Sequence, residues 1–149
     1  MKVHWLALLL VIGAALAVPV VSAQTVDSKS GYIVTPGHNT IKLPQVARLM
    51  SSSISQGQSQ MYSSSVPSGK TTFYADLNWG NSANSLSLTI RAPDAAFGPF
   101  YDSSDGQIDG RINIMISRAG GIASGTWYSM VYGNQVSGTQ SYTYSTGVN

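Results

Sequence analysis

Three segments of the chain alternate apolar and polar residues with a period of two. They cover residues 71–79, 85–91 and 111–117. A period of two places every second side chain on the same face of a β-strand, so each segment predicts a strand with one buried face. The apolar residues that recur at every second position are Phe73, Ala75, Leu77, Trp79, Leu86, Leu88, Ile90, Ile112, Ile114 and Ile116.

Weaker signals predict further strands at residues 32–34, at residues 58–64 and around Tyr142 and Tyr144. Residues 126–132 are apolar on both faces, which favours a central strand. Short strands separated by turn residues are typical of an antiparallel β-sandwich or barrel. The predicted all-β domain covers residues 54–145. Its predicted core consists of Phe73, Leu77, Trp79, Leu86, Leu88, Ile90, Ile112, Ile114, Trp127 and Val131.

Residues 1–23 have the pattern of a secretory signal peptide. A positive start at Lys2 precedes the apolar stretch 6–17, and Pro19 and the small residues 21–23 follow it. Cleavage is expected before Gln24, which places the protein outside the cell or in the cell envelope. The alternative is an uncleaved membrane anchor, although the apolar span is short for a bilayer.

Residues 24–53 predict an extended segment that contains one short helix. The helix is expected at Pro44–Met50, because proline suits the first helical position and Val46, Leu49 and Met50 share one face. The serines at 51–53 are expected to end it.

The composition excludes several classes of function. The 149 residues include 8 Lys and Arg, 6 Asp and Glu and no Cys. Few charges and no basic run argue against nucleic-acid binding, and the lack of cysteine excludes disulfides, thiolate metal sites and thiol nucleophiles. Beyond the predicted leader the single histidine is His38, and no Gly-x-Ser-x-Gly elbow is present. The sequence therefore predicts no catalytic residue.

Residues 101–111 place three carboxylates within a short loop. Asp102, Asp105 and Asp109 offer the hard oxygen ligands that calcium prefers, and glycines allow a tight path around an ion. The spacing is not that of an EF-hand. The alternative is a pair of Asp-Gly turns in which Asp105 or Asp109 pairs with Arg111. Calcium at these three residues is the one cofactor that the sequence suggests.

Aromatic residues are the other candidates for binding. Tyrosines on a sandwich face can stack on sugar rings or anchor a protein partner, although aromatic residues also favour strands for packing reasons. Trp79 and Trp127 are expected in the core. Tyr74 lies on the face opposite Phe73 and is the best exposed candidate.

An ordered set of short motifs resembles the pre-peptidase C-terminal domain of bacteria and archaea. The motifs are Ile54–Gln58, Val66–Phe73, Leu77–Trp79, Ser85–Ile90, Pro93-Asp94, Gly125–Tyr128, Val131–Gly133 and Tyr142-Thr143. The resemblance covers residues 54–145 and implies a jelly-roll β-sandwich. It also implies a non-catalytic appendage of exported peptidases and other exported enzymes, with calcium in some relatives. Two features depart from that family: no peptidase is attached, and Ser85 and Ser87 stand where relatives often carry carboxylates.

These observations favour a secreted or cell-surface, non-catalytic β-sandwich module. Its expected partner is an extracellular protein or a polysaccharide, with no nucleic acid and no stable membrane span after signal cleavage. The first alternative is a self-assembling envelope subunit, because polar and nearly uncharged sandwiches repel each other little. The second is a hydrolase, which the single histidine disfavours.

Overall fold

A computed structural model describes residues 25–27, 30–44 and 48–149, which form ten strands in two antiparallel sheets. The prediction of an all-β antiparallel sandwich is confirmed. The strands are β1 (Thr25–Asp27), β2 (Tyr32–Pro36), β3 (Arg48–Ser55), β4 (Ser59–Val66), β5 (Thr72–Asn78), β6 (Ser85–Arg91), β7 (Ala96–Phe100), β8 (Arg111–Arg118), β9 (Gly125–Gln135) and β10 (Thr139–Val148).

The topology is that of a jelly roll. One sheet has the order β1-β2-β8-β5-β10-β3, and the other has the order β4-β9-β6-β7. From β3 onward the chain forms a long antiparallel ribbon in which β3 pairs with β10, β4 with β9, β5 with β8 and β6 with β7. Rolling this ribbon gives two four-stranded sheets. Strands β1 and β2 extend one of them beside β8.

Two N-terminal predictions lie wholly or partly outside the described residues. The predicted leader, residues 1–23, is outside them. Of the helix predicted at Pro44–Met50, residues 45–47 are outside them and residues 48–50 begin β3. Those three residues pair with residues 144–146 of β10, and the side chain of Leu49 is 68% exposed. Among the described residues no helix is long and apolar enough to cross a membrane.

The predicted core is confirmed, since all ten of its residues are buried. Trp127 from the four-stranded sheet stacks on Phe73 from the six-stranded sheet, with ring centroids 4.6 Å apart. The ring centroids of Tyr32 and Phe97 lie 6.1 Å and 6.0 Å from that of Trp127. The indole nitrogen of Trp127 donates to the carbonyl of Ala123 at 2.8 Å, so the buried polar atom is satisfied.

Near β3 and β4 hydrogen bonds between hydroxyl groups join the two sheets in addition to apolar contacts. The hydroxyls of Tyr62 and Tyr142 are 2.7 Å apart, and Tyr144 donates to Ser129 at 2.6 Å. Burial raises the pKa of Tyr142 and of Tyr144, so both phenols stay protonated. Each hydroxyl has a partner across the sandwich, which fixes how the sheets align on this side.

A charged cluster ties β2 and β8 to the turn between β6 and β7. Arg118 forms an ion pair with Asp94 at 2.6 Å, and the hydroxyl of Tyr32 donates to the same carboxylate at 2.9 Å. The guanidinium of Arg118 also lies 4.3 Å from the centroid of the Tyr32 ring. Burial opposes ionisation of Asp94, but these hydrogen bonds outweigh it and lower its pKa.

The alternation in β6 gives a direct test of the fold. Leu88 is fully buried, whereas Thr89 is half-buried on the opposite face. Leu88→Asp is expected to cost several kcal/mol of unfolding free energy, because it buries an unpaired carboxylate. Thr89→Asp is expected to cost about 1 kcal/mol or less. Denaturant unfolding of the two variants measures the difference, and similar losses would show that the faces of β6 are assigned wrongly.

Candidate functional site

The outer face of the four-stranded sheet carries an apolar depression of about 250 Å³. We call it the outer patch. Its lining residues come from three neighbouring strands: Met61, Thr89, Arg91, Tyr128 and Met130. The register brings them together, because Met130 of β9 lies between Met61 of β4 and Thr89 of β6. In the same way Tyr128 lies beside Arg91.

The core determines which side chains form the outer patch. On β9, Trp127, Ser129 and Val131 are buried between the sheets. Successive residues of a strand point to opposite faces, so Tyr128 and Met130 must point outward. The sequence prediction of a central strand at residues 126–132 is confirmed, since β9 lies between β4 and β6. Its second apolar face, however, is open to solvent.

Two residues of the outer patch are unusually exposed for their type. The side chain of Met61 is 65% exposed and that of Tyr128 is 47% exposed. Methionine and tyrosine are enriched where proteins contact one another, because the flexible methionine side chain fits irregular surfaces and the tyrosine ring offers a large contact area with one polar group. Tyr74, the tyrosine that the sequence favoured, is half-buried on the other sheet.

Arg91 gives the outer patch a positive charge. Strands β4, β6, β7 and β9 contain no Asp or Glu. The two ion pairs of the described residues use Arg111 and Arg118, so Arg91 has no carboxylate partner among them. A guanidinium among apolar side chains is well suited to bind a carboxylate with two parallel hydrogen bonds.

The six-stranded sheet carries a shallow polar groove of about 730 Å³ over β3, β10 and the end of β5. Its lining is mostly small and hydroxylated, including Ser51, Ser53 and Ser141. Trp79 and Tyr142 border it, but each is more than nine-tenths buried and neither offers a ring face to a ligand. The groove therefore lacks the aromatic platform that the outer patch has in Tyr128.

The structure brings Asp102 into contact with backbone N–H groups. A turn of 3₁₀ helix begins at Asp102. Its carboxylate accepts hydrogen bonds from the N–H groups of Asp109 and Arg111 at 3.1 Å and of Gly110 at 3.0 Å. These hydrogen bonds offset part of the cost of burying the Asp102 side chain. Among the described residues, no three His, Cys, Asp or Glu side chains are placed to hold a metal ion.

The other two aspartates of the loop serve separate contacts. Asp105 is fully buried and accepts from the N–H groups of Asn113 at 2.9 Å and Gln107 at 3.1 Å. Asp109 is exposed and accepts from the side-chain amide of Asn39. Calcium at Asp102, Asp105 and Asp109 stays a prediction.

The alternative interpretation of this loop is correct for the turns and wrong for the ion pair. Gly106 and Gly110 both have positive φ, at 94° and 81°, as Asp-Gly turns require. The side chain of Arg111, however, binds Asp76 of β5 through two hydrogen bonds of 2.7 Å and 2.8 Å. The register of β8 against β5 places Arg111 and Asp76 diagonally opposite each other on one face of the sheet. This pairing depends on residues 35 positions apart, so the local sequence around the loop does not indicate it.

His38 lies against the Asp loop rather than beside a nucleophile. Its imidazole occupies the space that a Cβ on Gly106 would need, so the contact depends on that glycine. The hydrogen bonds of the described residues include none between His38 and a serine. The packing gives this histidine a structural contact between the N-terminal segment and the loop.

Comparisons with known proteins show no family for this chain. No protein-family model and no curated protein matches the chain. Among solved structures, the chain is similar to PliG of Aeromonas hydrophila, a periplasmic lysozyme inhibitor of g-type lysozyme. The two share 15% identity with a TM-score of 0.44, over 73% of this chain and 93% of that chain.

Removing the Asp102 carboxylate is expected to destabilise the loop strongly. Asp102→Ala leaves the N–H groups of Asp109, Gly110 and Arg111 without their acceptor, and the expected loss is about 2–4 kcal/mol. Asp109→Ala is the matched control, since its side chain is exposed and the expected loss is about 0.5 kcal/mol or less. Urea unfolding compares them. Equal losses would contradict a structural role for Asp102.

Asp105 is expected to make stability depend on pH. Burial raises the pKa of Asp105 above its ordinary value, and the neighbouring carboxylates of Asp109 and Asp102 add to the rise. The folded state therefore binds the proton more tightly than the unfolded state. This contribution to stability is complete below the ordinary pKa of about 3.9 and is lost as pH rises through the raised value.

Asp105→Asn has no proton to lose and isolates this effect. Unfolding free energies of both proteins are measured from about pH 3 to pH 7. The wild-type value minus the variant value should fall as pH rises. A difference that is constant or rises with pH would contradict the raised pKa.

Proposed function

We propose that the protein is an exported, non-catalytic module that binds a protein partner through the outer patch. The observation that carries the proposal is an arginine with no carboxylate partner in the described part of the chain, beside an exposed tyrosine and an exposed methionine on one sheet face. Arginine, tyrosine and methionine are enriched at protein interfaces, and the first two often dominate their binding energy.

The chemistry of the outer patch indicates what the partner presents. Arg91 favours a carboxylate, and the surrounding Met61, Met130 and Tyr128 favour an apolar rim around that carboxylate. Tyr128, Met130, Thr89 and Arg91 lie on β9 and β6, which have a paired strand on each side. The backbone under these contact residues is therefore already ordered before binding.

The contacts of the described titratable residues support the non-catalytic part of this proposal. His38, the one histidine beyond residues 1–23, contacts Gly106. The buried aspartates Asp102 and Asp105 hold backbone N–H groups and do not face a cleft together. These contacts support a binding role over a hydrolase.

The pattern at residues 1–23 supports export, and the jelly roll agrees with the accessory modules of exported peptidases that the sequence resembles. The finer proposal is therefore an accessory role beside an exported enzyme. The partner would meet the outer patch outside the cytoplasm.

The outer patch is tested first by crosslinking a bound partner and then by measuring the affinity of that partner for the protein. A photo-crosslinking residue is placed at Met61, and a second protein carries it at Ser53 on the opposite sheet as control. A partner captured only from Met61 is purified and titrated, and a g-type lysozyme is included as a probe of known identity.

Arg91→Ala and Tyr128→Ala are each expected to weaken the partner's binding about tenfold to a hundredfold, or about 1–3 kcal/mol. Arg91→Lys keeps the charge but loses the paired hydrogen bonds, so it should recover only part of the affinity. Added salt should weaken the wild type more than Arg91→Ala. Unchanged affinity in both alanine variants, with Ser53→Ala as the reference, would contradict the proposal.

A further inference from the structure

The four sheet edges of the molecule differ sharply. On one side of the sandwich the edges are β1, of three residues, and β7, of five residues. β7 contains Pro99 and pairs with β6 through a register shift. On the other side the edges are β3 and β4, of eight residues each, and both pair without a shift. Short strands, prolines and bulges are the usual means of blocking a sheet edge, and β3 and β4 lack them.

The open side carries little charge. β3 and β4 are consecutive strands of different sheets, and residues 49–69 contain no Asp, Glu, Lys or Arg. Charged side chains on an edge strand normally prevent a second strand from pairing with it. Two copies of β4 would approach each other without charge repulsion between the strands themselves.

The direction of the free backbone groups on β4 can be assigned from one contact. Arg48 donates to the carbonyl of Ser63 at 3.2 Å, so that carbonyl points away from β9. In an antiparallel pair the residues alternate between facing the partner strand and facing away. Ser59, Met61, Ser63 and Ser65 therefore present their N–H and C=O groups at the free edge, and Arg48 occupies a single carbonyl.

We propose that β4 is a pairing edge for a second copy of this chain. The two β4 strands run antiparallel around a two-fold axis near Met61, which joins the four-stranded sheets into one sheet of eight strands. β4 itself has no charged residue that would select a foreign strand, and every copy supplies the same neutral strand of the same length. Arg48 is the cation at this edge, and its hydrogen bond to Ser63 would be replaced when a second β4 pairs there. The pairing also covers Met61, which is otherwise 65% exposed.

This pairing has a consequence for the outer patch. Each patch reaches β4 through Met61, so the two patches of the dimer would meet at the axis and form one bivalent surface. Arg91 lies two strands away from the axis on β6. Its replacement by alanine is expected to leave the dimer intact, which separates this inference from the proposed function.

Sedimentation equilibrium of the purified protein at increasing concentration measures the dimer. Met61→Lys puts a charge at the axis and is expected to raise the dissociation constant on the order of tenfold or more. Ala96→Lys adds the same charge on β7, at the opposite edge, and should leave the constant unchanged. A protein that stays monomeric at all concentrations, or equal effects of the two lysines, would overturn the proposal.

Amide hydrogen exchange identifies the edge. At high concentration the N–H groups of Met61 and Ser63 should exchange about tenfold more slowly than in the monomer. Ser63→Pro removes one edge-facing donor without touching the ladder to β9, so it should prevent the dimer while melting near the wild-type temperature. A dimer in which these amides keep their monomer exchange rates would show a different contact and refute pairing through β4.

Discussion

The contact between Trp127 and Phe73 is the constraint on which the rest of the molecule depends. It joins the centres of the two sheets with rings 4.6 Å apart, and Tyr32 and Phe97 complete the cluster from β2 and β7. Once Trp127 points inward, Tyr128 must point outward, because a strand alternates its faces. The position of the outer patch is therefore determined by core packing, and a register slip of one residue would remove both.

Local patterns predicted the parts of the fold in which alternation is strong. The core positions of β5, β6 and β8 follow from the period of two, and β9 was recognised as central from its two apolar faces. β7 escaped prediction because the sequence Ala-Phe-Gly-Pro-Phe contains a glycine and a proline and does not alternate. The outer patch could not be placed from sequence, since Met61, Arg91 and Tyr128 meet only through the pairing of three strands.

Most of the carboxylates of the protein have partners within the molecule. Asp76 and Asp94 are paired with Arg111 and Arg118, and Asp102 and Asp105 accept hydrogen bonds from the backbone. Four further basic residues of the described part of the chain have no carboxylate partner within it; they are Lys42, Arg48, Lys70 and Arg91. A chain with a formal net charge of only +2 thus presents a more basic surface than that number indicates.

The pairing of β3 with β10 joins residues 48–55 to residues 139–146. β10 also lies between β3 and β5, so the six-stranded sheet has a gap until β10 is present. Contacts so distant along the chain are slow to form, because a long loop must close before they yield any stabilisation. During synthesis the core stays incomplete until β10, residues 139–148, has emerged from the ribosome. Until then the earlier strands leave apolar surface exposed, which is the kind of surface that chaperones bind.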